Sequence, residues 1–84
     1  MKNVTIYTTN TCHFCHLAKN FFQEKGVAYT EKNVETDIAA QREMIEKTGQ
    51  FAVPVIEIDE EGQQPSFIIG FEREELVRQL GIAA

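Results

Sequence analysis

The chain has 84 residues, of which 43% are hydrophobic and 25% are charged, and its net charge is −5. This length predicts one domain over residues 1–84, and the composition excludes a disordered chain. The excess of acids excludes the basic surface of a nucleic-acid binder and argues against binding to anionic membranes. The segment Met1–Tyr7 has no long apolar run and matches neither a signal peptide nor a membrane span, so we expect a cytosolic protein.

The first half of the chain predicts a strand, a helix and a second strand. Val4–Thr8 is rich in β-branched and aromatic residues and ends in the polar turn Thr9–Thr11, where Asn10 or Thr11 is expected to cap a helix. Apolar residues three and four positions apart then indicate the helix, which should end at Gly26; they are Phe14, Leu17, Ala18, Phe21 and Phe22. A second strand is predicted over residues 27–34.

The second half predicts one helix, a hairpin and a last helix. Thr36 or Asp37 should cap the helix that carries Ile38, Met44 and Ile45 and ends at Gly49. A strand over residues 53–58, a turn at 59–62, an edge strand over 67–69 after Pro65 and a helix over 72–80 follow. The predicted order is β-α-β-α-β-β-α, an α/β fold with a four-stranded mixed sheet and three flanking helices.

The two cysteines, Cys12 and Cys15, form a C-x-x-C motif at the predicted start of the first helix. Residues three apart share a helix face, so the two sulfurs can meet. Unpaired N–H groups and the partial positive charge at a helix N-terminus favour the thiolate at Cys12. The pattern therefore predicts that Cys12 attacks a substrate disulfide and that Cys15 resolves the resulting mixed disulfide.

Other kinds of site also fit this cysteine motif. The pair can be two buried structural cysteines, or an exposed cysteine can hold an iron–sulfur cluster between two chains. C-x-x-C-H is also the c-type haem pattern, with His16 and Met44 as axial ligands, but no export signal is seen. A zinc site remains a further alternative, with four clustered ligands in Cys12, His13, Cys15 and His16. If they bind no metal, the two histidines and Lys19 are expected at the surface. An alternative role for the histidines is to place positive charge beside the Cys12 thiolate.

Three further segments, together with the cysteine motif, resemble the glutaredoxin family and its NrdH-redoxins over nearly the whole chain. They are Ile6–Thr8 before the cysteines, Val53–Val55 at the third strand, and Gly70–Phe71 before the last helix. The resemblance implies a thioredoxin-like fold in which Pro54 is cis and lies opposite the cysteines. It also implies that the backbone of Val53 pairs with an incoming peptide or thiol.

The chain departs from glutaredoxins at the positions that bind glutathione. Thr9 stands where the family has a basic residue, Ala52 replaces a threonine, and Gly70 is followed by Phe71 instead of a second glycine. Loss of the basic residue removes a charged partner for a glutathione carboxylate. The Gly-Phe pair is similar to NrdH-redoxins, which take electrons from thioredoxin reductase and pass them to ribonucleotide reductase. The His13–Phe14 pair matches neither group, although Phe14 keeps an aromatic at the glutaredoxin tyrosine position.

The sequence thus predicts a monomeric, cytoplasmic dithiol–disulfide oxidoreductase that needs no cofactor or metal. Thioredoxin reductase or glutathione is the expected electron donor, and ribonucleotide reductase or another disulfide-bearing protein is the expected acceptor. An iron–sulfur carrier that uses Cys12 is the alternative. The expected catalytic residues are Cys12 and Cys15, and the expected substrate-binding residues are Thr9, Phe14, Val53, Pro54, Gly70 and Phe71.

Overall fold

The computed structural model describes residues 2–82. It confirms the predicted order of strands and helices. The elements are β1 (Lys2–Thr8), α1 (His13–Glu24), β2 (Thr30–Asn33), α2 (Ile38–Thr48), β3 (Val55–Glu60), β4 (Ser66–Ile69) and α3 (Arg73–Leu80). Within residues 2–82, no helix combines the length and the apolar character needed to cross a membrane.

The four strands form one mixed sheet in the order β2-β1-β3-β4. β1 runs parallel to β2, to which α1 connects it, and antiparallel to β3, while β3 and β4 form an antiparallel hairpin. β4 is an edge strand, as the position of Pro65 predicted. The mixed sheet predicted from sequence is therefore confirmed.

All four strands differ from their predicted bounds. β1 begins at Lys2 instead of Val4, β4 begins at Ser66 instead of residue 67, and β3 continues to Glu60, into the predicted turn. β2 begins at Thr30 instead of residue 27 because the chain is still tied to α1 there: the N–H of Val27 donates to the carbonyl of Phe22 at 2.8 Å. Val27 and Tyr29 nevertheless pack against the core. β3 begins at Val55 instead of residue 53, directly after Pro54, which has no N–H to give to a ladder.

Alternation along the strands divides the core between the two faces of the sheet. Val4 and Ile6 of β1 face α1 and α3, whereas Tyr7 faces α2. The α1/α3 face is buried with Ala18, Phe21, Phe22, Ile56, Ile58, Ile68 and Leu76. The α2 face has a smaller core of Tyr7, Val34, Ala40, Met44 and Val55.

Candidate active site

Several strand ends meet at the end of the sheet where the cysteines lie. In the register of the sheet, Tyr7 of β1 opposes Val55 of β3, and Val55 opposes Ile69 of β4. The N–H of Gly70 then donates to the carbonyl of Pro54 at 2.8 Å. The segments 9–12, 53–54 and 70–71 therefore leave the sheet at one end, which we call the cysteine end.

The loop between β1 and α1 is held by the loop that precedes α2. The backbone N–H and the side-chain amide of Asn10 donate to the two carboxylate oxygens of Glu35, at 3.2 and 3.1 Å. The amide of Asn33 donates to Asn10 Oδ1 at 2.7 Å. The predicted helix-capping role of Asn10 or Thr11 is therefore wrong, because Asn10 is used to fix the loop and Cys12 is the N-cap of α1.

Cys12 and Cys15 are paired as a disulfide, with their Cα atoms 5.2 Å apart. Cys12 has extended backbone angles, as an N-cap residue does, and its sulfur accepts a hydrogen bond from the N–H of Cys15 at 3.1 Å. Cys12 is half-buried, whereas Cys15 is fully buried on the inner face of α1. A molecule approaching from solvent therefore meets the Cys12 sulfur first.

The start of α1 favours negative charge on that sulfur. The first turn contains no acidic residue, so the unpaired N–H groups and the partial positive charge of the helix end act without opposition from a carboxylate. The N–H of Cys15 already points at the Cys12 sulfur. When the disulfide is reduced, the same N–H stabilises a thiolate at Cys12 more than a thiol.

The segment before β3 has a cis peptide bond between Val53 and Pro54. Pro54 is buried, and Val53 is half-buried against the core under α2. Among residues 2–82, nothing pairs with the N–H or the carbonyl of Val53, whereas the carbonyl of Pro54 is taken by Gly70. Val53 thus offers one donor and one acceptor at the cysteine end.

The other predicted substrate-binding residues lie at the same end but in different surroundings. Thr9 is half-buried in the loop before Cys12, and Phe14 in the first turn of α1 is 57% exposed. Gly70 has a φ of +90°, which favours glycine. Phe71 turns inward instead, with its ring 5.9 Å from that of Phe21, so it packs against the α1/α3 core.

The structure does not bring together the side chains that the sequence offered as alternative ligands of a haem or a zinc ion. Met44 is fully buried in the core under α2, while His13 and His16 are exposed at the start of α1. Within the described residues 2–82, no group of three or more His, Cys, Asp or Glu side chains is arranged to hold a metal ion.

A polar group under α1 was not found from sequence. The buried hydroxyl of Thr8 donates to Glu31 Oε2 at 2.7 Å, and Lys19 Nζ donates to the same oxygen at 3.0 Å. The bond from Thr8, followed by that from Lys19, lowers the pKa of Glu31 below its usual value. Lys19, which was predicted to lie at the surface, is therefore half-buried and paired with Glu31. The available signal was Thr8 itself, a hydroxyl that follows Val4 and Ile6 on the inward face of β1 and needs a partner.

A second polar cluster lies between α2 and the sheet. The hydroxyl of Tyr7 donates to Glu43 at 2.9 Å, and Lys32 and Lys47 both pair with the same carboxylate. Lys47 also pairs with the buried Glu57 of β3 at 3.1 Å. Bonds from Lys47 and Lys32 lower the pKa of Glu43 to about 2, and burial of Tyr7 raises the pKa of its hydroxyl.

Comparison with known proteins agrees with this geometry. A family model described as Glutaredoxin matches residues 4–62. Glutaredoxin 3 from Escherichia coli strain K12 is 44% identical over 59 residues, which cover 70% of this chain and 71% of that protein. The solved structure of the thioredoxin-like protein BC3987 matches with a TM-score of 0.78 and 31% identity, over 93% of this chain and 99% of that one. The glutaredoxin-like protein NrdH-redoxin from Escherichia coli matches with a TM-score of 0.73 and 28% identity, over 90% and 92% of the two chains.

The mixed sheet with its three helices is a thioredoxin-like fold, and the cysteine pair at the start of α1 defines a thiol–disulfide oxidoreductase. The chain belongs to the glutaredoxin family.

Proposed function

We propose that this protein reduces disulfides of other proteins, with Cys12 as the nucleophile and Cys15 as the resolving thiol. The observation that carries the proposal is the unequal placement of the two sulfurs. Cys12 is half-buried at the N-cap with an N–H donor on its sulfur, and Cys15 is fully buried one turn later. An accessible, stabilised thiolate attacks first, and the shielded thiol can reach only a sulfur already bound to Cys12.

In the first step the Cys12 thiolate attacks one sulfur of the substrate disulfide. A bond forms between Cys12 and that sulfur, and the other substrate sulfur leaves with the electron pair and takes a proton. Cys15 then loses its proton and attacks the Cys12 sulfur, which releases the second substrate thiol and leaves the Cys12–Cys15 disulfide. Two electrons and two protons from a donor reopen that disulfide.

Substrate recognition is assigned to the surface around Cys12. We propose that the free N–H and carbonyl of Val53 pair with the substrate backbone, with Pro54 as a rigid neighbour. Thr9, Phe14 and Gly70 are proposed to contact the substrate from the neighbouring segments. Phe71 is proposed to act by holding Gly70 in place, because its ring packs against Phe21.

Thioredoxin reductase is the proposed donor, ribonucleotide reductase is a proposed acceptor, and the cytosol is the proposed location. Thr9 supports this choice of donor because it stands where glutaredoxins carry a basic residue, so the positive charge that would bind a glutathione carboxylate is missing. The similarity to NrdH-redoxin, a protein described as having a thioredoxin-like activity profile, also supports thioredoxin reductase as the donor. Glutathione is the competing donor, and the similarity to glutaredoxin 3 favours it.

The test mixes the oxidised protein with NADPH and either thioredoxin reductase, or glutathione with glutathione reductase, and follows NADPH loss with a protein disulfide as acceptor. We expect rapid loss with thioredoxin reductase and slow loss with glutathione. Loss mainly through glutathione would contradict the proposed donor, and no loss in either system would contradict the proposed function.

Three variants sharpen the assay. Cys12→Ser should abolish turnover, whereas Cys15→Ser should retain the first step and accumulate mixed disulfides that mass spectrometry detects. Equal behaviour of these two variants would contradict their assigned roles. Thr9→Lys restores a positive charge before the cysteines and should raise the rate with glutathione but not with thioredoxin reductase.

A further inference from the structure

β4 lies at an open edge of the sheet, and part of its backbone is unpaired. The bond from the N–H of Gly70 to the carbonyl of Pro54 shows which residues of β4 bond to β3, because bonded and non-bonded pairs alternate along an antiparallel ladder. Ile68 therefore bonds to β3, whereas the N–H and carbonyl groups of Phe67 and Ile69 point away from it. Within residues 2–82, β4 has no neighbour on its other side, so these groups are unpaired.

The residues with unpaired backbone groups also carry apolar side chains on one face of the sheet. Phe67 opposes Glu57 of β3 and Ile69 opposes Val55, so both side chains lie on the α2 face. Phe67 packs partly against the core on that face, whereas Ile69 is 49% exposed. The edge therefore offers apolar surface beside its free backbone groups.

The two edges of the sheet differ in charge. β2, at the opposite edge, carries Glu31 and Lys32, and charged side chains on an edge strand oppose pairing with another strand. Residues 63–71, which contain β4, include no charged residue. β4 thus lacks the charges that protect β2, and its pairing is limited only by its short length and by Pro65.

The unpaired groups of β4 match those of a second copy in antiparallel orientation. With a two-fold axis through Ile68, Phe67 of one protomer opposes Ile69 of its partner, and the reverse pair follows by symmetry. Each pair exchanges both of its N–H to carbonyl bonds, so the open groups of the two edges satisfy each other. Each pair also places a phenyl ring beside an isoleucine side chain on the α2 face.

We propose that β4 pairs with β4 of a second copy, so that the two four-stranded sheets join into one. A second copy is favoured over a different strand because the free groups of Phe67 and Ile69 lie symmetrically about Ile68 and match themselves. Copies that each carry a net charge of −5 repel one another, and the uncharged edge places no charged residue of one strand opposite the other.

One strand pair makes a small interface, so the dimer is weak. The monomer expected from sequence therefore prevails at low concentration, and the dimer forms as the concentration rises. No cysteine takes part in the pairing, so the dimer does not depend on the proposed reductase function.

The experiment uses the oxidised wild-type protein, in which the two cysteines are paired with each other and cannot link two copies. Sedimentation velocity from about 10 μM to about 1 mM covers the weak affinities expected for a small interface and should show a reversible dimer at the upper end. Over the same range, amide exchange with water, followed by NMR, should slow at Phe67 and Ile69 by at least about threefold. The amide of Ile68, which already bonds to β3, should change little.

Two substitutions of Ile69 test where the interface lies. Ile69→Lys places a charge opposite Phe67 of the partner, and Ile69→Pro removes an N–H that points away from β3, so the ladder within one copy keeps its bonds. Either variant should remove the dimer at the highest concentration. Ile38→Lys is the matched control, because it makes the same replacement at a side chain that is 61% exposed on α2, and it should leave the dimer intact.

A protein that stays monomeric, with unchanged exchange at Phe67 and Ile69, would overturn the inference. A dimer that persists in both Ile69 variants would place the interface elsewhere, and loss of the dimer in Ile38→Lys would show a general effect of charge; either result overturns the pairing of β4. Edge amides that are protected only when a disulfide-bearing peptide is added would assign β4 to a substrate strand instead. If an Ile69 variant does not fold, amide exchange in the wild-type protein decides the question.

Discussion

The two faces of the sheet are held by different forces. The α1/α3 face is filled by side chains such as Phe22, Ile56 and Leu76, all fully buried. Its packing is mostly apolar, with one polar group formed by Thr8, Glu31 and Lys19. The α2 face has a smaller apolar core, beside which Glu57 is buried and paired with Lys47. This short chain therefore stabilises α1, which carries the cysteines, mainly by apolar packing. It attaches α2 partly through charged groups.

This division predicts which changes in solution matter for each face. Apolar packing does not titrate, so pH and salt should affect the support of α1 mainly through the Lys19–Glu31 pair. The Tyr7, Lys32, Glu43, Lys47 and Glu57 cluster depends on charge, so α2 should loosen first in acid.

The largest effect is expected from a cavity on the α1/α3 face. Phe22→Ala removes a fully buried ring and should lower the free energy of unfolding by about 3–5 kcal/mol, measured by urea denaturation. Phe14→Ala is the matched control, because Phe14 lies on the same helix but is 57% exposed, and it should change stability by less than about 0.5 kcal/mol. Similar losses in the two variants would refute the assignment of the core.

The next effect concerns the charged cluster. Lys47→Met removes the partner of the buried Glu57 and one partner of Glu43, so it should cost about 1–2 kcal/mol. Partial exposure of Lys47 keeps the value at this level. Adding Glu57→Gln removes the unpaired buried charge and should recover part of the loss, as a double-mutant cycle in urea would show. Strict additivity would mean that the two residues are not coupled.

A smaller effect is expected from pH. The pKa of Glu43 is lowered to about 2, while an unperturbed glutamate lies near 4.5. Its stabilisation is therefore complete above about pH 4.5 and is lost as the pH falls towards 2, by about 1 kcal/mol after allowance for solvent screening. Urea denaturation at several pH values should show that Glu43→Gln flattens this dependence. The control is Glu74→Gln, an exposed acid; the same flattening there would exclude Glu43 as the source.

The smallest effect is expected in the loop before Cys12. Asn10→Ala removes the side-chain bonds to Glu35 and Asn33 but keeps the backbone N–H bond to Glu35, and it should cost about 0.5–1 kcal/mol, because these groups are exposed to water. Hydrogen exchange of the loop amides should become faster, whereas Asn20→Ala on the exposed side of α1 should leave it unchanged. Unchanged exchange in Asn10→Ala would mean that Asn10 does not fix the loop.

Local patterns were enough to predict the order of the elements and the position of the cysteines at a helix start. They failed where a distant segment decides the outcome. Asn10 was expected to cap α1, but Glu35 and Asn33, more than twenty residues away, bind it instead. Glu57 lies between two buried residues of β3, and sequence alternation alone would place its side chain in solvent. Its burial is explained only by α2, which packs across it and supplies Lys47 as its partner.

The most direct test of the account is the pH dependence of alkylation in the reduced wild-type protein, with each labelled cysteine identified by mass spectrometry. We expect Cys12 to react first at every pH, because it is the more accessible sulfur and lies at the helix N-cap, and Cys15 to stay unlabelled while the fold is intact. Equal labelling of both cysteines, or faster labelling of Cys15, would contradict the assignment of Cys12 as the nucleophile.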